Sequence, residues 1–199
     1  MSKKATEFQK KEMSKMYRGK ELMDFIDTQV KNAYFLPEDA PEKEACRDFM
    51  WYLWNGAKSP VFGKDKNRSF EHYFIEDPEV MRETMNPYYQ LSEEEETCDM
   101  ILKEFGLPTK GSHIINGHMP VKIKSGETPI RAGGKLFIID GGLSKAYQER
   151  TGIAGYTLIF NSHHLALAEH KPFDPERERT PKVYIVEKMQ KRITVADTD

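Results

Sequence analysis

The sequence predicts a mixed α/β fold in which helices come first and strands follow. From Tyr17 to Phe35, apolar residues recur at spacings of three and four, which is the pattern of a helix that buries one face. Beyond position 112, short runs rich in Ile, Val, Phe and Tyr are bounded by turn residues, which is typical of strands. Helices followed by a block of strands favour an α/β or α+β layer.

The start of the chain predicts a polar tail and two helices. Residues 1–16 are almost all charged or polar, so we expect a solvated start. A first helix is predicted over residues 17–35 and a second over residues 42–54. The second helix carries an aromatic stripe, and we expect its two tryptophans, Trp51 and Trp54, to lie in the core.

The middle of the chain predicts a long ordered loop and then a third helix. Residues 58–91 combine Pro, Gly, Asn and aromatic residues without a clear period, which predicts a loop held by aromatic anchors, with one short helix. In the next segment, Ser92 and Glu95 form a capping-box pattern, so we predict that a helix begins there. Gly106 is predicted to end this helix.

Beyond Pro108 the sequence predicts five strands and a C-terminal hairpin. A tight turn at Met189–Gln190 followed by residues 192–196 predicts the hairpin. A short helix is predicted between Leu143 and Arg150. The five strands are predicted over residues 113–117, 135–140, 155–162, 165–170 and 182–188.

Composition limits the classes of function. The 199 residues carry a formal net charge of -2, so no strong positive field attracts nucleic acid or an anionic membrane. No apolar run approaches the roughly 18 residues of a membrane span. Cys46 and Cys98 lie far apart without metal-ligand spacing, which predicts reduced thiols in a cytoplasmic protein. The sequence contains no P-loop, GxGxxG, HExxH or paired CxxC motif.

His118 is the first candidate for chemistry. It follows a predicted strand and lies between Gly117 and Pro120, and loops at the carboxyl ends of strands collect ligand groups in α/β folds. A neutral imidazole there would suit Mn²⁺ or Zn²⁺ if other strand ends supplied carboxylates. A histidine that is hydrogen-bonded within a turn is the competing interpretation, and the motif alone leaves both open.

Asp140 and the two glycines after it are the second candidate. The backbone N–H groups of Gly141 and Gly142 could receive a phosphate, with Lys145 adding positive charge. Asp140 could equally serve as a helix cap, which is a common use of aspartate at such a position.

Cationic side chains near the same strand ends are the third candidate. Converging on one opening, they would bind an anionic substrate such as a sugar phosphate. A solvated surface position is the alternative for each. For the adjacent pair His163 and His164, we favour a turn or the surface. The cations are Lys122, Lys124, Arg131 and Lys145.

Several stretches of the chain resemble the class III fructose-1,6-bisphosphatases of Firmicutes and related bacteria. The similarity covers nearly the whole chain, and the resemblance implies an α/β fold of the calcineurin-like metallophosphatase type, a β-sandwich flanked by helices. It also implies that residues 17–199 are the C-terminal part of such a domain, helical over residues 17–107 and mostly strands over residues 112–199. The stretches are DFMWYLWNGAKSPVFGKDK, NPYY, INGHMPVK, GETPIRAGGKLFIIDGGLSKAYQERTGIAGYTLIFNS and TVADTD.

The resemblance also implies an activity and a metal. Members of this family hydrolyse the 1-phosphate of fructose 1,6-bisphosphate to give fructose 6-phosphate and phosphate in gluconeogenesis, at a two-metal site that typically holds Mn²⁺. A Gly-His motif supplies a histidine ligand in the wider superfamily, so the resemblance implies that His118 binds metal. Charge and position give Lys122, Arg131 and Lys145 as the predicted substrate-binding residues. The general acid is not identified.

The chain departs from the family pattern as well. The GDxxDRG and GNHD stretches, which supply metal ligands in the family, are absent from this sequence. We therefore expect a C-terminal fragment that lacks most metal ligands and has no activity alone. Its expected partners are a sugar phosphate and either the missing N-terminal part of the enzyme or a second copy, and not nucleic acid or membrane. The alternative is a non-catalytic phosphosugar-binding or regulatory module.

Overall fold

The computed structural model describes most of the chain and divides it into two compact units. The units are Met1–Tyr89 and Gln90–Asp199. Among the described residues, every named strand belongs to the second unit. The described residues are 16–56, 59–61, 63–65, 71–117, 119–144, 148, 151–152, 155–171, 175–176, 182–188 and 196.

Two packed helices, α1 (Gly19–Phe35) and α2 (Lys43–Asn55), form the first unit's main element, as predicted. The buried side chains of α1 follow the helical spacing that the sequence predicts. Between the helices, the buried Cys46 thiol donates to the Gln29 side-chain oxygen at 3.3 Å. The polar group of Gln29 is therefore satisfied inside the contact.

Lys43 fastens the start of α2 to the end of α1. Its side chain is only 6% exposed, and the ammonium donates to the backbone carbonyls of Tyr34, at 3.4 Å, and of Leu36. The Glu38 carboxylate lies 2.9 Å from the same nitrogen. The last carbonyls of a helix lack intrahelical partners and carry partial negative charge, so a cation stabilises this end.

The predicted burial of the two tryptophans is wrong. Trp51 is 62% exposed and Trp54 is 65% exposed. Cys46 and Leu53, seven residues apart, form the buried side of α2 instead. A helix turns by about 100° per residue, so Trp51 lies roughly opposite Leu53 and cannot share its face.

The segment after α2 contains more regular structure than predicted. Among the described residues it holds a short 3₁₀ turn, Glu71–Tyr73, and two one-turn helices, α3 (Pro78–Met81) and α4 (Tyr88–Leu91). An aromatic anchor is present where Tyr89 packs on Gly63, because a Cβ built on that glycine would collide with the Tyr89 hydroxyl.

Helix α5 (Glu95–Glu104) begins later than the capping-box pattern predicts. Its N-cap is Glu94, without a side-chain capping bond. Ser92 is buried, and its carbonyl accepts the Cys98 thiol at 3.2 Å. The N–H groups of Glu93 and Glu94 donate to the Gln90 and Leu91 carbonyls, so turns that continue from α4 occupy the positions where the helix was predicted to begin.

The predicted end of α5 at Gly106 is confirmed. Gly106 has φ of 73°, the left-handed conformation that glycine adopts at little cost. Its N–H donates to the Lys103 carbonyl at 3.0 Å, and the Leu107 N–H donates to the Leu102 carbonyl at 2.9 Å. These two bonds are the Schellman pattern, which satisfies carbonyls at a helix C-terminus.

The first sheet has the strand order β1-β3-β2. Strand β1 (Ile114–Asn116) pairs parallel with β3 (Leu136–Ile138), and β2 (Ile130–Arg131) pairs antiparallel with β3. The sequence predicts β1 and β3 but misses β2. This strand has only two residues and follows Pro129, so it carries no alternating pattern.

The second sheet is antiparallel, with the order β4-β5-β6. Its strands are β4 (Gly155–Phe160), β5 (His164–His170) and β6 (Lys182–Lys188), which confirms three predicted strands. Residues 192–195 of the predicted hairpin and most of the predicted helix between residues 143 and 150 lie outside the described residues.

One hydrophobic cluster joins both sheets and α5. Phe137, at the centre of β3, is the largest fully buried side chain of this cluster. The chain is therefore mixed α/β, as predicted, and its described sheets are small. Among the described helices, none combines the length and the apolar character that a membrane crossing needs. The buried members of the cluster are Cys98, Val121, Ala132, Leu136, Phe137, Ile138, Tyr156, Leu165 and Leu167.

We predict that Gly106→Ala lowers the free energy of unfolding by about 1 kcal/mol, because alanine is strained at a left-handed φ. A Cβ at Gly106 meets no atom within 4 Å, so no steric clash adds to this cost. Gly117→Ala is the control, since that position also has open space but no positive φ. Urea denaturation measures both, and an equal loss in the two variants contradicts the prediction.

We predict that the free energy of unfolding falls at high pH because of Tyr156. Burial, with the nearby Glu169 carboxylate and Tyr184, raises the pKa of Tyr156 to about 12. A raised folded-state pKa contributes stability that is complete below about pH 10 and is lost as the pH rises toward 12. At pH 11 we expect this term to cost on the order of 1 kcal/mol, and Tyr156→Phe to abolish it.

The measurement for Tyr156 is urea denaturation at pH 9, 10 and 11. Tyr73→Phe is the control because Tyr73 is 80% exposed, so this change removes a phenol without removing a buried one. If Tyr156→Phe and the wild type lose the same stability between pH 9 and pH 11, the buried phenol is not responsible.

Candidate functional site

The carboxyl ends of β1 and β3 lie at the same edge of the first sheet. The two strands are parallel with Asn116 opposite Ile138, and the Ile139 N–H donates to the Asn116 carbonyl at 2.9 Å. Beyond the strands, the Val121 N–H donates to the Asp140 carbonyl at 2.9 Å. The loops that follow β1 and β3 are therefore neighbours, at the kind of edge where α/β proteins bind ligands.

Two of the predicted site residues, His118 and Lys145, lie outside the described residues. Metal binding by His118 and substrate binding by Lys145 thus remain predictions. The structure describes Gly117, and a Cβ built there meets no atom within 4 Å. The backbone at Gly117 is therefore open on the side where a side chain at this position would lie.

The turn after β3 already uses the Asp140 carboxylate, and no helix begins within residues 141–144 for it to cap. The Asp140 Oδ1 accepts the Gly142 N–H at 2.8 Å, which is an Asx turn. Gly141 and Gly142 are both buried. A phosphate at the Gly142 amide would have to displace this carboxylate and reach a covered backbone, so the turn is not an open phosphate cradle.

Arg131 is already held by carboxylates. Its side chain is 18% exposed, with Nη1 in contact with the Glu93 carboxylate and Nη2 donating to the Glu127 Oε2 at 2.8 Å. Nε donates to the Thr128 carbonyl at 3.3 Å. An anionic ligand would compete with two carboxylates for this guanidinium.

Lys122 and Arg131 donate to the same acceptor, the Glu127 carboxylate. The backbone N–H of Lys122 donates to the same Glu127 Oε2, at 3.0 Å, while the Lys122 side chain is exposed. Glu127 thus joins the loop after β1 to the end of β2. Of the described cations that the sequence proposes, Lys122 and Lys124 have exposed side chains, whereas Arg131 does not.

His163 lies in the turn between β4 and β5, as predicted, whereas His164 is the first residue of β5. The N–H groups of both residues donate to the Asn161 side-chain oxygen, at 2.9 and 3.0 Å. The Asn161 side chain therefore organises the turn between β4 and β5. His163 is exposed and His164 is half-buried.

The sequence gives no signal for the role of His113. Its Nδ1 faces the Gly134 carbonyl at 2.9 Å and its Nε2 faces the Glu187 carboxylate at 3.0 Å, while the ring packs against Phe137 at an interplanar angle of 35°. Both partners accept, so both contacts are hydrogen bonds only when the ring is a doubly protonated imidazolium or Glu187 is protonated. His113 connects β1 with β6, a partner 74 positions away that spacing cannot predict.

The described residues do not form a metal site by themselves. Within the described part of the chain, no group of three or more His, Cys, Asp or Glu residues is arranged to hold an ion. Cys46 and Cys98 are free and buried, as the prediction of ordinary thiols requires. Burial raises the pKa of both thiols, which keeps them protonated and unsuited to bind metal or attack a substrate.

Comparison with known proteins gives one family. The sequence model described as Firmicute fructose-1,6-bisphosphatase matches residues 2–199. Proteins named fructose-1,6-bisphosphatase class 3 are similar to the chain at 48% identity in Finegoldia magna and 50% in Fusobacterium nucleatum. These matches cover 94% and 92% of this chain, but 29% and 30% of the relatives.

A third relative extends the same result. The protein of that name from Clostridium beijerinckii is 50% identical over 93% of this chain and 29% of its own length. The chain therefore spans about 30% of the length of the curated relatives it matches. No solved structure matches the chain with significance.

We predict that Arg131→Met lowers the free energy of unfolding by about 1–2 kcal/mol, because it removes charge-assisted bonds to two partly exposed carboxylates. Lys122→Met is the control and should change stability by less than about 0.5 kcal/mol, since Lys122 bonds Glu127 through its backbone. Urea denaturation at low salt distinguishes them. Similar losses in both variants would show that Arg131 is not a structural clamp.

Proposed function

The chain belongs to the Firmicute fructose-1,6-bisphosphatase family, and we propose that it takes part in hydrolysis of the 1-phosphate of fructose 1,6-bisphosphate. The products are fructose 6-phosphate and inorganic phosphate, a step of gluconeogenesis. The observation that carries this proposal is the family match over residues 2–199. The identities of 48–50% over more than nine-tenths of the chain support it.

The proposed fold is a calcineurin-like metallophosphatase sandwich flanked by helices. Two three-stranded sheets that share one hydrophobic cluster are compatible with such an architecture. The parallel pairing of β1 with β3 supports a site at the edge where the proposed ligand His118 follows β1.

Mn²⁺ is the proposed cofactor, and His118 is the proposed ligand from this chain. When bound in pairs, such ions polarise a phosphoryl oxygen and activate water. A single imidazole does not hold a divalent ion tightly, and the described residues add no donor group of three. We therefore propose that the 199-residue chain does not turn over substrate alone.

The proposed role of the chain's own cations is to bind the sugar phosphate. Lys122 is the best supported, because its side chain is exposed beside the loops at the shared strand edge. Arg131 would contribute only if a phosphate displaced the Glu93 carboxylate, which is 53% exposed and can move into water. Lys145 completes the proposed set, because it follows Gly142 by three residues in the sequence.

The alternative is a non-catalytic module that binds a phosphosugar or regulates a partner. The observation that favours it is the lack of a three-donor metal group among the described residues, while exposed cations are present. A cytoplasmic location is proposed in either case, and the two free cysteines are compatible with it.

We expect the purified chain to release no phosphate above a buffer blank from fructose 1,6-bisphosphate with Mn²⁺. The Finegoldia magna relative, assayed in parallel, serves as the positive control. Turnover by the chain alone would confirm the reaction but contradict the proposed requirement for further ligands.

Calorimetric titration with fructose 1,6-bisphosphate, without metal, tests substrate binding separately. We expect binding, and we expect Lys122→Met to weaken it at least fivefold by removing a cation that meets the phosphate. Lys110→Met is the matched control, because Lys110 is also an exposed lysine and lies before β1. If the wild type does not bind the sugar bisphosphate, or if both variants behave alike, the proposed binding role of Lys122 is wrong.

A further inference from the structure

The two carboxylates that hold Arg131 differ in how firmly they are fixed. The Glu127 Oε2 accepts from Arg131 at 2.8 Å and from the Lys122 backbone N–H at 3.0 Å. The Glu127 N–H also donates to the Lys122 carbonyl at 3.3 Å. Because both its backbone and its side chain bind the loop after β1, Glu127 is a fixed partner of Arg131.

Glu93 is the partner that can be replaced. Its carboxylate contacts Nη1 of Arg131, and within the described part of the chain this is its only side-chain bond. The Glu93 side chain is 53% exposed, compared with 34% for Glu127. Its backbone N–H is bonded separately, to the Gln90 carbonyl at 3.2 Å. The carboxylate can therefore leave Arg131 and enter water while the backbone of Glu93 stays in place.

Departure of Glu93 leaves a guanidinium that is still oriented. Nε of Arg131 remains bonded to the Thr128 carbonyl at 3.3 Å, and Nη2 remains bonded to Glu127. Because these bonds hold the plane of the group, an anion that replaces Glu93 meets donors already in position, and little side-chain freedom is lost on binding. The exposed side chain of Lys122 adds positive charge on the same loop.

We infer that Glu93 is an internal competitor for Arg131 that sets the selectivity of this site for phosphate over singly charged carboxylates. A dissolved carboxylate offers the same group as Glu93, which the chain holds at a high effective concentration. A phosphate group carries nearly two negative charges and three acceptor oxygens, so it can displace Glu93 where a carboxylate cannot. The inference rests on the proposed binding of a sugar phosphate and names the residue that controls it.

Titration with inorganic phosphate at pH 8 tests the competition, with the backbone amide NMR signals of Lys122 and Arg131 as the readout. We expect Glu93→Gln to bind phosphate about fivefold more tightly than the wild type, because a partly exposed ion pair no longer opposes binding. Acetate, titrated at the same ionic strength, should bind measurably to Glu93→Gln and not to the wild type.

Glu94→Gln is the matched control. Glu94 is the exposed neighbour of Glu93 and is not a partner of Arg131, so the variant loses the same charge without freeing the guanidinium. We expect it to bind phosphate as the wild type does. Combining Glu93→Gln with Arg131→Met should remove the gain. Thermal unfolding checks that each variant is folded, and Glu93→Ala replaces Glu93→Gln if that variant is not.

Three results would overturn the inference. Glu93→Gln could bind phosphate no more tightly than Glu94→Gln, its gain could persist when Arg131 is replaced, or acetate could bind the wild type as tightly as it binds Glu93→Gln.

These results are distinguishable from failure of the proposed function. A chain that shows the expected phosphate binding but does not bind fructose 1,6-bisphosphate contradicts the proposed substrate and leaves the role of Glu93 intact. A chain that binds the bisphosphate, with no effect of Glu93→Gln on phosphate, contradicts only the role of Glu93.

Discussion

The parallel pairing of β1 with β3 is the constraint on which the second unit's site depends. Parallel strands place both carboxyl ends at one edge, and here the bonds from Ile139 to Asn116 and from Val121 to Asp140 continue the contact beyond the strands. Two loops separated by about twenty residues of sequence are thereby neighbours. All three residues of β3, with Phe137 in the middle, are buried, so this strand is enclosed on both faces.

Features that depend on neighbouring residues in the sequence could be predicted, whereas features that depend on packing between distant segments could not. Helical spacing indicated α1 and α2, and Gly106 marked the end of α5 because a left-handed residue acts within one turn. Ser92 misled because a capping box is a local pattern, whereas the preceding turns had already used the N–H groups after it. The exposure of Trp51 was unpredictable for a related reason: an aromatic stripe indicates burial without saying what covers it.

The neighbourhood of the two candidate loops could be predicted from the sequence, whereas the roles of their residues could not. Strand ends followed by Gly-His and Asp-Gly-Gly predicted loops at one edge of a sheet, and the parallel pairing of β1 with β3 brings these loops together. The sequence could not tell that Arg131 is neutralised, since its partners Glu93 and Glu127 are defined by tertiary contact. Positive charge near a site in the sequence therefore identifies candidates for anion binding. Only the structure distinguishes a side chain that can bind an anion from one, such as Arg131, that is already paired with carboxylates.

The buried ammonium of Lys43 has an effect on how the first unit opens. The Lys43 ammonium bonds the Tyr34 and Leu36 carbonyls, so unravelling of either the start of α2 or the end of α1 leaves a buried charge without these acceptors. The two helices should thus exchange their backbone amide protons as one cooperative block rather than fray separately. In this way the Lys43 side chain couples the opening of α1 to the opening of α2. The sequences of the two helices contain no signal of this coupling.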